Sequence, residues 1–260
     1  MVARTGDIDA GLPEVPHRAW SLLTVTLLTV LGVCVLLALG VWQVERRAWK
    51  LDLIHRVDTR IHAAPVAPPG PADWPFVNAA NSEYLHVRVR GHFLNSRETP
   101  VEAVTEKGGG FWVLTPFVTD RGFTVLVNRG FVPEADRDPK SRAAGQRDGE
   151  TVVTGLLRLT EPGGAFLRHN DPGAGRWYSR DVAAIAAARG LVDAAPYFID
   201  ADATPNPGGL PVGGLTVVNF PNSHLIYAIT WFTLAAMLAV TAGRSLRAGW
   251  REWLRTRRAA

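Results

Sequence analysis

The pattern of hydrophobic and polar positions divides the chain into three parts. Residues 20–44 and residues 225–243 contain no charged side chain, and each stretch is close to the roughly 20 apolar residues that a helix needs to cross a bilayer core. Between the two stretches, polar and apolar residues are mixed throughout. This pattern predicts membrane-spanning helices over 20–44 and 224–243, with one separate domain over 45–223.

A signal peptide is the alternative for the first apolar stretch, because "ALG" at 38–40 resembles a small-x-small cleavage site. However, the apolar run is longer than the roughly 7 to 15 residues of a signal-peptide core. Acidic residues at positions 7, 9 and 14 disfavour a mitochondrial transit peptide, which is normally poor in acids. We therefore expect a retained membrane anchor.

From Tyr84 onward the hydrophobic pattern has a period of two, which is typical of half-buried β-strands. "YLHVRVRGHFL" alternates apolar and polar residues, and "FWVLTPFV" and "FTVLVNRGFVP" flank the turn "TDRG" as in a β-hairpin. "TVVTGLLRL", "PYFIDA" and "LTVVNF" predict three further strands. The expected fold class is α+β: two transmembrane helices anchor one external, mostly antiparallel β domain, a sheet or partly open barrel, with a helix.

The segments between these strands are predicted from their cap and turn residues. "SRDVAAIAAARG" predicts a helix, with Ser179 as a candidate N-cap. Residues 45–64 continue from the first span as an amphipathic helix, and the prolines of "APVAPPGPADWP" mark a linker. Residues 134–150 predict a long exposed loop. The glycine-rich stretches at 108–110 and 205–214 predict connectors, because neither matches a phosphate-binding loop.

The charge distribution predicts the orientation in the membrane. The net charge of +4 is concentrated in residues 244–260, which contain six arginines and one glutamate, whereas residues 200–223 contain no Lys or Arg. Basic loops favour the cytoplasm, so residues 1–19 and the basic tail are expected there, with residues 45–223 outside. Basic residues after the first span, such as Arg46, favour the opposite orientation for that helix. The total number of basic residues beside the two spans is larger on the predicted cytoplasmic side, and we base the prediction on that total. The tail also suits anionic lipid headgroups, so no nucleic-acid partner is expected.

Residue counts argue against several kinds of chemistry. Burial in an apolar strand can lower the pKa of a lysine enough for catalysis. The three lysines of this chain lie outside the apolar strands. The GxSxG and HExxH motifs are absent. Cys34 is the only cysteine and lies inside the first span, which excludes a disulfide framework or a thiolate metal site. Met1 and Met237 are too few for a thioether copper site. We therefore expect that this protein is not an enzyme.

The two predicted external membrane boundaries share a pattern. Trp42 and Arg46 lie four residues apart at the end of the first span. At the start of the second span, Tyr227 follows His224 by three residues and Trp231 follows Tyr227 by four, so they share one helical face. At both boundaries an aromatic stripe therefore accompanies a nitrogen-bearing side chain. On spacing alone, an ordinary interfacial belt of Trp and Tyr with snorkelling Arg explains this pattern.

Six stretches of the chain, in order from about Gly40 to Ala235, carry a resemblance: "GVWQVERRAWK", "VRVRGHF", "GFWVLTPF", "VLVNRGFVP", "RWYSRD" and "NSHLIYAITWFTLA". Together they resemble the surfeit-locus family of cytochrome c oxidase assembly factors. The family's Gly-x-Trp-Gln-x-x-Arg motif falls on residues 40–46 and its His-Leu-x-Tyr-Ala element on residues 224–228, with Ile226 where glutamine is frequent. Its Asn-Arg-Gly element falls on residues 128–130, which we interpret as sheet and turn structure.

The resemblance implies a protein of the bacterial inner membrane that binds haem a as transient cargo and assists its insertion into haem-copper oxidases. The implied haem-binding residues, with His224 as the iron ligand and Arg46 beside a propionate, are His224, Arg46, Trp42, Gln43, Tyr227 and Trp231. The implied partners are the catalytic subunit of cytochrome c oxidase, haem a synthase and membrane lipids. The alternative is a protein-only scaffold that stabilises an oxidase assembly intermediate without haem.

Overall fold

The computed structural model describes residues 17–165, 167–218 and 220–259. The chain divides into two compact units, one formed by the residues up to Leu53 with those from Phe220 onward, the other by residues 54–219. The first unit is a pair of helices, α1 (His17–His62) as far as Leu53 and α3 (His224–Ala259). The predicted N-terminal segment 1–19 lies outside the described residues except for its last three.

Both helices are long and apolar enough to cross a membrane, over Ala19–His62 and His224–Thr256. The predicted span 20–44 and the amphipathic segment after it form one continuous helix, because neither Pro nor Gly interrupts the sequence between Val41 and His62. The basic residues from 244 onward continue α3 in the same way, as far as Ala259.

The two helices run antiparallel and approach each other through small residues. A Cβ placed on Gly40 would lie 2.5 Å from the Phe232 ring, and one on Gly249 would lie 2.9 Å from the Leu22 side chain. Small residues at such positions allow two helix backbones to come close together in a membrane. The sequence therefore encodes this interface by the absence of side-chain bulk.

The second unit is built on a β-sheet. Its strands are β1 (His86–Phe93), β2 (Thr99–Thr105), β3 (Gly108–Thr119), β4 (Thr124–Pro133), β5 (Thr151–Leu159), β6 (Gly164–Ala165), β7 (Arg168–His169) and β8 (Ala194–Ala201). Strands β6 and β7 form a separate short pair, and the other six follow the order β1-β5-β8-β4-β3-β2. A further pairing of β1 with the end of β3 closes five strands into a small barrel.

The strand directions confirm the mostly antiparallel β domain of the α+β prediction. Every pairing in the barrel is antiparallel except that of β4 with β8, which is parallel. The predicted hairpin is β3–β4, with Phe117 opposite Val125 near its turn. Strand β2 was not predicted, and it extends the sheet beyond the barrel along the first half of β3.

Strand β4 is buried along almost its whole length because both of its faces are covered. One face contributes to the apolar interior of the barrel, which consists of Val87, Val89, Phe117, Phe123, Val125, Val127, Val153, Leu157, Ala195, Tyr197 and Ile199. The other face packs through Leu126 against the short helix α2 (Val182–Ala188), where Ile185 is fully buried. β4 is therefore the central strand of the domain.

Two local predictions for this domain were wrong. The N-cap of α2 is Asp181, whose carboxylate accepts a hydrogen bond from the Ala184 amide at 3.1 Å, whereas Ser179 accepts one from Asn170. The stretch "LTVVNF" is not a strand in its described residues, 215–218 and 220. Both edges of β8 are already occupied by β4 and β5, so barrel closure leaves no adjacent edge for this segment.

Three segments predicted as loops or linkers are packed parts of the domain. The region 134–150 contains two 3₁₀ helices, Glu134–Asp136 and Pro139–Gly145, and buries Arg142. The glycines at 108–110 belong to β3, and a Cβ on Gly110 would lie 2.2 Å from the Val132 carbonyl oxygen.

The proline-rich linker packs on the barrel. Tyr197 on β8 donates a hydrogen bond to the Pro69 carbonyl at 2.5 Å, and the Trp74 ring meets Phe123 edge to face at 5.9 Å. These contacts attach to the barrel a segment that its prolines predicted to be a linker.

Candidate functional site

His224, the first residue of α3, forms a hydrogen bond with the other helix of the pair. Its Nδ1 atom lies 2.7 Å from Oε1 of Gln43 on α1. The Gln43 side chain is buried, with 8% of the residue exposed. The structure therefore joins one residue of the Gly-x-Trp-Gln motif to the histidine of the His-Leu-x-Tyr-Ala element.

The partner atom determines which nitrogen of His224 carries the proton. An amide oxygen can only accept a hydrogen bond, so, with Oε1 of Gln43 facing the ring, the tautomer protonated at Nδ1 fits this contact. In a neutral imidazole the proton on Nδ1 leaves Nε2 with a free lone pair. Such a second contact fixes the tautomer and orientation of metal-binding histidines in general. His224 is thus held in the form that can bind a metal ion through Nε2.

The close approach of the two helices explains how Gln43 and His224 meet. Gly40 precedes Gln43 by three residues and is buried, and Ala228 follows His224 by four residues and is 2% exposed. Residues three and four apart share one face of a helix. Small residues therefore stand beside both members of the hydrogen bond, where larger ones would separate the helices.

The other predicted site residues occupy more open positions. Trp42 and Tyr227 are each 53% exposed, and Trp231 is half-buried. The guanidinium group of Arg46 lies 4.1 Å from the ring centre of Trp49. Of the six predicted residues, only Gln43 and His224 are joined to each other by a hydrogen bond or ring contact in the described structure.

Two further cations on α1 were not among the predicted site residues. Arg47 and Lys50 follow Gln43 by four and seven residues, and both are half-buried. The Lys50 ammonium lies 5.2 Å from the ring centre of Phe220, which precedes α3. Their helical spacing from Gln43 was the available signal, because it places them on the same face of α1.

A conventional metal centre is not formed by the part of the chain that the structure describes. Within it, no group of three or more His, Cys, Asp or Glu side chains could hold a metal ion. His62 is exposed on α1, and its Nδ1 lies 3.3 Å from Asp58 of the same helix. His224 is thus a single imidazole with Gln43 as its hydrogen-bond partner.

The fold and this site define a class of protein. It is a membrane protein with two apolar helices that pack antiparallel, a closed β-barrel domain, and one histidine held by a glutamine at the start of the second helix.

Comparison with known proteins then identifies the family. Residues 30–236 match the SURF1 family. The chain is 43% identical over 215 residues to Surfeit locus protein 1 of Homo sapiens, covering 76% of this chain and 69% of that protein. It is 39% identical over 233 residues to a SURF1-like protein of Monosiga brevicollis, covering 84% and 83%. The chain therefore belongs to the SURF1 family, which confirms the resemblance seen in the sequence.

Proposed function

We propose that this protein is an assembly factor for haem-copper terminal oxidases that binds haem a at the membrane boundary and assists its insertion into the catalytic subunit. Its membership of the SURF1 family, whose members are cytochrome oxidase assembly factors, supports the assembly role. The hydrogen bond between Gln43 and His224 is the observation that carries the haem proposal. In this proposal the protein performs no catalytic step.

The residues around His224 fit the two halves of a haem. The macrocycle is apolar and suits a site at the edge of the bilayer, with the half-buried Trp231 on the same helix. The propionates are anionic, and guanidinium groups recognise carboxylates well. Arg46 was the predicted propionate partner, and the half-buried Arg47 joins it as a candidate. When bound, the haem would supply the iron atom to which the Nε2 lone pair of His224 binds.

A single protein ligand, His224, also suits a haem that is to be passed on to another protein. The hydrogen bond to Oε1 of Gln43 would orient His224 without adding a second bond to the iron. If His224 were the one protein ligand of the haem, a receiving protein would have to replace only one bond to take the haem over. Gln43 thus acts as a positioning residue, and its exchange for Leu should shift the haem spectrum more than it lowers haem occupancy.

The proposal is tested by the absorption spectrum of protein purified from haem a-producing cells. His224→Ala should remove or shift the Soret and alpha bands, with unchanged membrane insertion. His62→Ala is the matched control, because His62 is also a helical histidine and is exposed. Arg46→Ala should lower occupancy less, since a propionate contact near water is partly screened.

Identical bands in wild type and His224→Ala would exclude His224 as the ligand. If the wild-type protein carries no haem and oxidase assembly still depends on the protein, the scaffold alternative is favoured.

We also propose that the protein lies in the bacterial inner membrane with both termini in the cytoplasm and the barrel domain in the periplasm. The six arginines after residue 243 support this orientation. A periplasmic reporter fused after Gly173 should be active and one fused at Ala260 silent. The reverse pattern would overturn this topology.

A further inference from the structure

The Asn128-Arg129-Gly130 element on β4 contains two residues with clear structural roles. Asn128 donates a hydrogen bond to Asp200 at 2.7 Å and accepts one from the Gly130 amide at 3.2 Å. Gly130 has a φ of 126°, and a Cβ there would lie 2.1 Å from the Val212 carbonyl oxygen. The fold therefore accounts fully for the contacts of Asn128 and Gly130, but only in part for those of Arg129.

Arg129 is buried with part of its hydrogen-bonding capacity unused. The residue is 2% exposed, and its Nη2 donates to the Gly145 carbonyl and to Oδ1 of Asn206. Its Nε and Nη1 have no partner within the described structure. The guanidinium group also stacks 4.7 Å from the ring centre of Phe93. Two unpaired donors on a buried cation are unfavourable unless something accepts from them.

The electrostatic surroundings make the same position unfavourable for an isolated cation. Burial lowers the pKa of Arg129 to about 10, and the positive charges of Arg142 and Arg147 act in the same direction, while Glu98 opposes them. Glu98 is itself engaged in a hydrogen-bonded ion pair with Arg142. An anion beside Arg129 would remove part of this repulsion.

A small cavity lies beside Arg129. Its volume is about 70 Å³, and it is lined by residues that include Phe93 on β1, Val153 on β5 and Ala201 on β8. One water molecule needs roughly 10–15 Å³ of such space. The cavity therefore has room for several waters or for one small polyatomic ion.

A second guanidinium group faces this cavity. Arg147 lines it, and the Nε of Arg147 is also buried without a partner among the described residues. Its other nitrogens make only long contacts of 3.4 Å, to Thr151 and to the Pro205 carbonyl. Asp202 is the carboxylate in the lining, and it accepts a hydrogen bond from the Thr204 amide. Two cations and one anion leave the cavity with a positive charge.

We propose that this cavity is a binding site for a small oxyanion, a phosphate or carboxylate group, held by Arg129 and Arg147. Guanidinium groups offer planar sets of N–H donors that match the oxygens of both groups. A bound oxyanion would accept from the unpaired nitrogens of both arginines and offset the repulsion between them. The site lies wholly within the barrel domain, and the proposal does not depend on haem binding.

The test uses full-length protein in a phosphate-free detergent. Inorganic phosphate and acetate are titrated separately against sodium chloride of equal ionic strength, while the Tm of the barrel domain is followed. The wild type should show a saturable rise in Tm with at least one of them, as expected for a ligand that binds the folded state. Saturation by phosphate alone identifies a phosphate site, and saturation by acetate alone identifies a carboxylate site.

Variants separate a site from a general salt effect. Arg147→Gln should shift the titration midpoint to an anion concentration at least about tenfold higher, because it removes a charged donor. Arg176→Gln is the matched control, since Arg176 is exposed and paired with Asp171, and it should titrate like wild type. Arg129→Lys, which keeps the charge but loses the planar donor set, should also bind more weakly.

Phosphate stabilises many proteins by exclusion from their surface. An equal, non-saturating rise in wild type, Arg147→Gln and Arg176→Gln would therefore overturn the proposal.

Discussion

Gln43 is the one buried polar side chain among the described residues of the helix pair, whereas the described part of the barrel domain buries four charged residues, Glu98, Arg129, Arg142 and Asp200. A helix satisfies its own backbone polar groups, so two apolar helices can pack through small residues with few polar contacts. The barrel domain depends on pairings between strands far apart in sequence. Its buried charges connect such segments.

Asp200 on β8 shows how these charges connect the domain. Its carboxylate accepts hydrogen bonds from Asn128 on β4, Arg158 on β5 and Arg180 before α2, at 2.7–3.2 Å. Burial lowers the pKa of Arg158, but Asp200 and then Glu83 oppose this effect and raise the pKa above its ordinary value. These contacts form in one strand register only, because a shift of one residue turns a side chain to the other face of the sheet.

Substitutions of buried polar groups should therefore affect folding in the barrel domain and binding in the helix pair. In the barrel domain, removal of a buried charge leaves its partner unpaired and should destabilise the fold. In the helix pair, removal of the polar contact leaves two apolar helices that can still pack, so the binding property should change first. Three predictions test this difference, in order of expected size.

The largest effect is expected from Arg142→Ala in the barrel domain. Arg142 and Glu98 form a hydrogen-bonded ion pair whose side chains are 1% and 6% exposed. Loss of one partner of a buried pair typically destabilises a protein by about 3–5 kcal/mol. We expect a decrease of this order in the free energy of unfolding of the domain, measured by urea denaturation.

The exposed pair Arg168–Glu102 provides the control for this measurement. Its side chains are 61% and 42% exposed, so Arg168→Ala should change the free energy of unfolding by at most about 1 kcal/mol. Similar losses in the two variants would contradict the assigned role of buried charge.

A smaller effect is expected from Gly40→Leu in the helix pair. A side chain at Gly40 would meet the Phe232 ring. Phe232 is 37% exposed, so its ring has room to move. Overpacking of a close interface usually destabilises by about 1–3 kcal/mol. The helices should separate and lose the Gln43–His224 hydrogen bond, which lowers the thermal stability of the helical circular dichroism signal in detergent.

Gly243→Leu is the matched control, because nothing lies within 4 Å of a Cβ at that position. It should leave the helix pair unchanged. If both variants melt like wild type, close approach at Gly40 is not needed for helix packing.

The smallest effect is expected from Tyr197→Phe, and it should depend on pH. At pH 7 the variant loses the hydrogen bond to Pro69, worth about 1 kcal/mol. Burial raises the pKa of Tyr197 above its ordinary value. The hydroxyl thus stabilises the fold fully below the unfolded-state pKa of about 10 and loses this contribution as pH rises above it.

The difference in the free energy of unfolding between wild type and Tyr197→Phe should therefore shrink between pH 9 and pH 11, measured by urea denaturation at each pH. Tyr227→Phe, at a 53% exposed position in the helix pair, should differ from wild type by less than about 0.5 kcal/mol throughout. A Tyr197→Phe difference that is constant with pH would show that the hydroxyl ionises equally in both states.

Much of the local structure could be predicted because it depends on local patterns. The apolar length of residues 20–44 and 225–243 is sufficient to indicate two spanning helices. Strand β5 coincides with the stretch "TVVTGLLRL", and the turn after Thr119 marked the β3–β4 hairpin. Strand β2 escaped prediction because Pro100 and Glu102 weaken its pattern, and its pairing with β3 decides its conformation.

Closure of the barrel could not be predicted, because it depends on pairings between distant segments. The parallel contact of β4 with β8 joins residues about 70 positions apart, such as Val127 and Ile199. The burial of Arg142 and the packing of the proline-rich segment follow from the same closure. None of these features has a local periodic signal, since each depends on which surface the closed barrel leaves available.

For the candidate site, the chemical groups could be recognised in the sequence: an imidazole at the start of an apolar helix, and Gln43 and Arg46 within one motif. Which of these groups meet depends on the packing of the two helices. Gly40 and Ala228 let the helices approach closely and set their rotation, so that Gln43 faces His224 while Trp42 and Arg46 stay exposed. In the same way the Asn-Arg-Gly motif is visible in the sequence, but the two unpaired nitrogens of Arg129 are not. These unpaired nitrogens depend on the positions of Gly145 and Asn206 in the folded domain, because a hydrogen bond requires a short distance that the sequence does not specify.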